Sequence, residues 1–241
     1  MAASRRAGHE GHMNYRTLEI DHGGGMLATI WLNRPGHGNA LDAVMLEELA
    51  AAFAGLANLA QLRAVVLAAR GPQFCVGSAL DWRGELAASP PAWRRADADL
   101  AGLLQTMQAL PAPVVARVQG DCQGAGAGLV AACDIALAAG HAGFCLPEAQ
   151  ADAALTAYIP WLEQAAGARA ARRYLLTAER LSAFEAKQIG LVHEAVAADA
   201  LHERTDAIVA ALLQANNKKV FGERIWNTAD KMDKATGSPA A

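Results

Sequence analysis

Two runs of the chain, RAVVLAA (63–69) and PVVARVQ (113–119), are apolar at nearly every position. A strand with one face in water alternates apolar and polar side chains, so unbroken runs of this length are expected of strands covered on both faces. The first run is bounded by Arg70-Gly71-Pro72, a turn signal. Strand-like and helix-like segments alternate around the pair. LEIDHGGGMLATIWLN (18–33) reads as a hairpin whose β-prone halves flank Gly23–Gly25, the second half ending at Asn33-Arg34-Pro35. Asp42 is placed to cap a helix, AVMLEELAAAFAGLA, with apolar residues at helical spacing. A helix from about Ala125 to Cys133 follows the second apolar run. DIALAAG and AGFCLPE supply two more short strands, and GLVHEAV (190–196) another. AARRYLLTA is helical, Ser182 opens a further helix with Glu185 at its third position, and the chain is helical again after about residue 199. The alternation predicts an α/β fold with mostly parallel pairing.

The 241 residues suffice for one large α/β domain or two small ones, and 53% hydrophobic with 19% charged is a globular composition. No apolar run approaches the roughly 18–20 residues of a membrane span. The start, MAASRRAGHEGHMNY, has no apolar h-region, so no secretory signal is expected. Residues 1–12 are set aside as a tail or cloning remnant, with Met13 as an alternative start. The net charge of −3, with acids and bases interspersed, argues against a nucleic-acid face or a membrane-surface helix. Cys75, Cys122, Cys133 and Cys145 show no CxxC or Cys/His spacing. Reduced, buried thiols, no metal and a cytoplasmic location are the expectation.

After the second apolar run comes VQGDCQGAGAGLVAACD (118–134), in which Gly124, Gly126 and Gly128 alternate with alanine before a helix. Such a loop brings backbone N–H groups near negative charge. A dinucleotide reading fits Gly126, Gly128 and Ala131, with Glu148 twenty residues beyond Gly128. It fails because GDCQ intervenes after the strand and Glu148 lies past the end of the next one. No Gly-Lys-Ser/Thr occurs, which excludes a Walker A loop. Stabilising a developing oxyanion is a further reading, beside an ordinary helix-capping glycine loop, and it calls for a second N–H elsewhere. RGPQFCVGSALDW (70–82) supplies a candidate, a glycine bend at Gly77 that aims the Ser78 N–H outward. A backbone role for Ser78 is favoured over a nucleophilic one, because G-x-S-x-G is absent and no histidine has obvious reach.

LNRPGHGNALD, FCVGSAL, ARVQGDCQGAGAGLVAACDIALA, LPEA and LLTAERLSAFEAKQIGLVHEAV occur in order and with family-like spacing from about 15 to 200. Together they resemble the enoyl-CoA hydratase/isomerase (crotonase) superfamily, closest in look to its methylglutaconyl-CoA hydratase branch. The resemblance implies a crotonase-like spiral of ββα units with a helical C-terminal region. It divides the chain into the tail at 1–12, an acyl-CoA-binding core at 13–199 and a helical trimerisation region at 200–241, apparently shortened. It also implies an α,β-unsaturated acyl-CoA substrate, hydrated or dehydrated, in branched-chain amino acid or fatty or terpenoid acid catabolism. Coenzyme A enters as part of the substrate, with no further cofactor. A homotrimer or dimer of trimers is expected, with no nucleic acid or membrane partner. Isomerisation, decarboxylation or a catalytically degenerate homologue are the alternatives.

Carried over residue by residue, the oxyanion donors are the N–H groups of Ser78 and Ala125, the latter at a helix N-terminus. Gly124 and Gly126 would let the loop approach the ligand. Contacts to coenzyme A fall on Ser78, Ala79, Leu80, Asp81 and Ala125. Glu148 matches the family's catalytic glutamate, its pKa expected to rise beside an apolar strand. The family's second glutamate is replaced by Gly128. Ala79 stands where an aspartate is usual in Gly-Ala-Asp-Leu, and Trp82 matches a tryptophan of the look-alike branch. TAYIPWLEQAAG replaces the usual Pro-Gly-Gly turn, so Tyr158, Pro160 and Trp161 either shape the acyl end or pack the core. Arg117, Arg172 and Arg173 read as surface ion pairs or as contacts to a substrate carboxylate.

Overall fold

The computed structural model describes residues 15–147 and 154–215. Its elements in chain order begin with β1 (Leu18–Gly23), β2 (Leu27–Leu32), α1 (Ala43–Ala57), β3 (Ala64–Ala69), α2 (Leu80–Ala88) and α3 (Pro90–Ala109). The middle of the chain forms β4 (Val114–Val118), β5 (Cys122–Gln123), α4 (Ala125–Ala131), β6 (Ile135–Ala139) and β7 (Gly143–Cys145). After these come α5 (Ile159–Ala166), α6 (Ala168–Thr177), β8 (Leu181–Ser182), α7 (Ala183–Gln188), β9 (Glu194–Val196) and α8 (Leu201–Gln214).

β3 and β4 occupy the centre of a six-stranded sheet of order β1-β2-β3-β4-β6-β9. Only β1–β2, the hairpin, is antiparallel; the other four pairings are parallel. The apolar runs divide by alternation. Val65, Leu67, Ala69, Val114, Ala116 and Val118 face one core layer, while Val66, Ala68 and Val115 face a second. The larger layer also takes the apolar stripes of α1 and α3, which pack on each other. α8 covers the second face, resting on β3, β4 and β6. Burial on both faces keeps polar residues other than Arg117 out of these strands.

The caps form as expected. Asp42 Oδ1 accepts from Met45 N at 2.8 Å, and Ser182 with Glu185 makes a complete capping box. Two expectations shrink: the helix after the glycine loop ends at Ala131 rather than Cys133, and GLVHEAV is strand only at Glu194–Val196. In the latter, Leu191 and Val192 are buried without joining the sheet, because the run turns in to let His193 N donate to Ala136 O at 2.7 Å. A second sheet of order β5-β7-β8, two or three residues per strand, sits beside the glycine loop. Among the described residues no helix is long and apolar enough to cross a membrane.

Candidate active site

The segment after β3 and the segment after β4 run side by side. Cys75 and Cys122 form an isolated parallel bridge, with Gln123 N donating to Cys75 O at 2.8 Å. Phe74 N and Cys75 N both donate to Asp121 O, at 3.0 and 3.2 Å. Gly77, at φ 82°, passes so close that a Cβ there would lie 3.0 Å from Gln123 O. Only glycine meets both demands.

Ser78 is set by a third segment. It bridges Leu41 in parallel, Leu41 N donating to Gly77 O and Ala79 N to Leu41 O, both at 2.8 Å. In extended chain successive N–H groups point to opposite sides. With Gly77 C=O and Ala79 N–H committed to Leu41, the Ser78 N–H faces away from it. Ala125 is the first residue of α4, where the N–H has no partner within the helix. Neither N–H donates to another described residue.

Both residues line one cleft of about 630 Å³, together with Gly77, Ala79, Leu80, Asp81, Gln123 and Gly124. Arg34, His37, Arg83, Pro147 and Leu155 complete much of the remaining wall. All the expected coenzyme A contacts are thus on one cavity, Leu80 with 77% of its surface exposed at the rim. Glu148 lies outside the described residues, and the residue before it, Pro147, lines the cleft. Gly126 does not face the ligand space: a Cβ there would meet Cys75 at 2.8 Å, so its missing side chain serves strand packing.

Gly128 is covered by the buried Tyr158, on which an added Cβ would fall at 2.4 Å from Cβ and 2.7 Å from Cγ. A glutamate has no space in this position. Tyr158 and Trp161 are core residues absent from the cleft wall, to which Ala154 and Leu155 contribute instead. That segment is pinned by α3. Asp97 Oδ1 accepts from Thr156 N and Ala157 N at 2.7 and 2.8 Å, and Trp93 Nε1 donates to Ala154 O at 3.0 Å. Trp82 packs half-buried against the core.

The glycine loop is held by its acid. Asp121 takes both nitrogens of Arg180 at 2.7 and 2.8 Å, and Oδ1 also accepts from Gly143 N at 3.0 Å. The Arg180 hydrogen bonds hold its carboxyl below the ordinary value, against a smaller opposing effect of burial. Burial pushes the Cys75 thiol up to about 12 and Cys122 well above its usual range, so both stay protonated and unreactive. Neither reacting partner nor metal ligand is implied by them; among the described residues no three His, Cys, Asp or Glu side chains cluster as a metal site.

None of the three arginines singled out in the sequence reaches the cleft wall. Arg117 lies over Trp31 and contacts His202 Nδ1 at 2.6 Å, Arg173 pairs with Glu179, and Arg172 is exposed. Sequence reasoning passed over Arg34, His37 and Arg83, because no local pattern separates an arginine beside a cleft from one on open surface.

Residues 23–236 match the model of the family Enoyl-CoA hydratase/isomerase. A probable enoyl-CoA hydratase of Rhodobacter capsulatus is 37% identical over 193 residues, spanning 76% of this chain and 70% of that protein. The crystal structure of an enoyl-CoA hydratase from Mycobacterium smegmatis superposes with a TM-score of 0.79 at 34% identity, over 91% of this chain and 88% of that one. One from Shewanella pealeana gives 0.84 at 28%, over 93% and 83%. The fold is the expected crotonase-like α/β fold. The chain belongs to the enoyl-CoA hydratase/isomerase family, and its general activity is of the acyl-CoA hydratase type.

Proposed function

We propose that the cleft binds an α,β-unsaturated acyl-CoA thioester with its carbonyl oxygen between the N–H groups of Ser78 and Ala125, and that Glu148 moves the proton. The observation that carries this reading is the pair of uncommitted N–H groups on one cavity, one from each glycine turn. As water adds at Cβ, negative charge passes through Cα to the thioester oxygen, where two fixed donors meet it. Each such donor is worth about 10²–10³ in rate. Glu148 takes the proton of the attacking water and delivers it to Cα, which completes the product; dehydration runs the same path backwards. Ala79, Leu80 and Asp81 border the coenzyme A portion, and Leu155 borders the acyl group.

The packing of Tyr158 on Gly128 favours a second reading. With no room for a second carboxylate at 128, one glutamate withdrawing a proton from one carbon and returning it to another gives double-bond isomerisation. Chromatographic product analysis with crotonyl-CoA, methylglutaconyl-CoA and a 3-enoyl-CoA, beside Glu148→Gln, separates the two. Hydrated product lost in the variant supports hydration; a shifted double bond lost in the variant supports isomerisation. Binding without turnover of any substrate would leave an acyl-CoA-binding homologue, and absence of binding would refute the reading altogether. A homotrimer or dimer of trimers belongs to the same proposal, and light scattering on the eluting protein tests it.

A further inference from the structure

Of the two arginines in the cleft wall, Arg34 is paired with Asp42. Arg83 has no ion-pair partner among the described residues. Its Nε is shut off from solvent with no hydrogen-bond acceptor, and no described carboxylate lies within ion-pair reach of its guanidinium. Asp81, the one carboxylate among the described wall residues, turns its Oδ1 back to accept from Trp82 N at 2.9 Å. Arg83 is held in the first turn of α2 by Arg83 N donating to Ala79 O at 2.9 Å, so it stands one helical turn from the Ser78–Ala79 bend. Elsewhere in the molecule Arg70 pairs with Glu19, Arg180 with Asp121 and Arg204 with Glu194, while the half-buried Arg63 donates to Ala215 O.

A half-buried guanidinium that keeps its planar fork unused, in the wall of a cavity, is a device for a planar or tetrahedral oxyanion. We propose that Arg83 is a substrate-recognition residue that binds an anionic oxygen of the bound thioester. Two parts of such a ligand carry that chemistry: a second carboxylate at the far end of a dicarboxylic acyl group, or a phosphate of coenzyme A. The inference rests on the reading of the cleft as an acyl-CoA site.

The test is calorimetric titration of the full chain and of Arg83→Gln with three ligands: crotonyl-CoA, glutaconyl-CoA and the phosphate-free pantetheine thioester of crotonate. Arg83→Lys, which keeps the charge but not the fork, runs beside them, and thermal melting checks that each variant is folded. If the acyl carboxylate is the partner, Arg83→Gln weakens glutaconyl-CoA by about tenfold or more and spares the other two. If a phosphate is the partner, both coenzyme A thioesters weaken by about that factor and the pantetheine thioester is unaffected. Folded Arg83→Gln binding all three as the wild type does overturns the inference and leaves the acyl-CoA reading standing. A wild type that binds none of them overturns both.

Discussion

At position 128 the intrinsic preference of a helix and the local packing point in opposite directions. Gly128 is inside α4, where alanine is ordinarily favoured over glycine by about 1 kcal/mol. Here the methyl group would sit 2.4 Å from Tyr158 Cβ, and Tyr158 is fully buried with nowhere to retreat. Overpacking of this kind costs about 1–3 kcal/mol, enough to reverse the sign. Gly128→Ala is therefore expected to lose stability in urea unfolding; a variant as stable as the wild type or more so would show that Tyr158 does not fill this space. The sequence displayed the missing glutamate at once but not its cause. Gly128 and Tyr158 are thirty residues apart, and nothing in either local pattern announces that α5 lies on α4. Ser78 and Ala125 were legible because each sits at a strand-to-glycine turn with a family-like frame around it. Arg83 was not, since its lack of an acceptor depends on where Asp81 turns.

The elements divide in the same way. β3 and β4 were readable because two-sided burial removes every polar residue but Arg117 from them, and α1 because Asp42 precedes a regular stripe. α2 buries only Leu86, so its sequence carries no stripe to read, and β5 and β8, at two residues each, are too short for periodicity to register. Yet it is these weak elements that hold the site. Asp121 joins the glycine loop to β7 and Arg180. Its carboxyl sits below the ordinary 3.8, so its contribution is present above that value and lost as pH falls through the depressed one. With Arg180 about half exposed, the contribution is about 1 kcal/mol or less. Asp121→Asn should be less stable than the wild type near neutral pH, with the gap closing below about pH 4. Urea midpoints at both pH values measure this, and a gap that persisted in acid would mean the link is not ionic. Asp97 does comparable work at the segment that carries Leu155. Asp97→Ala strands two backbone N–H groups at Thr156 and Ala157, a loss of about 2 kcal/mol, and loosens Leu155 in the wall. A raised KM for the acyl-CoA should accompany the lower urea midpoint; unchanged values of both would remove α3 from any role in shaping the site.

At the scale of the molecule, the cleft is a seam between segments distant along the chain. It is walled by the segments that follow β2, β3 and β4 and by the one that carries Leu155. The large sheet is covered on both faces, which is why pattern reveals the fold class before any site is located. The seam relies on a few hydrogen bonds between chain-distant segments: Leu41 to Gly77 and Ala79, Asp121 to Phe74, Cys75 and Gly143, and Gly124 to Cys145. A ligand lying along the seam touches both sides and opposes their separation. Saturation at about one hundred times Kd stabilises the bound form by about 2.7 kcal/mol. For a chain of this size each kcal/mol moves the melting temperature by about 2–4 °C, so crotonyl-CoA should raise Tm by roughly 5–11 °C. Glu148→Gln should keep that rise while losing turnover, because the donors that hold the thioester oxygen are main-chain N–H groups the substitution leaves in place. Scanning calorimetry of both proteins, with and without ligand, decides the matter. A shift that vanished with turnover would make Glu148 a binding residue instead of the proton carrier, and would move the acid/base role to another group on the cleft.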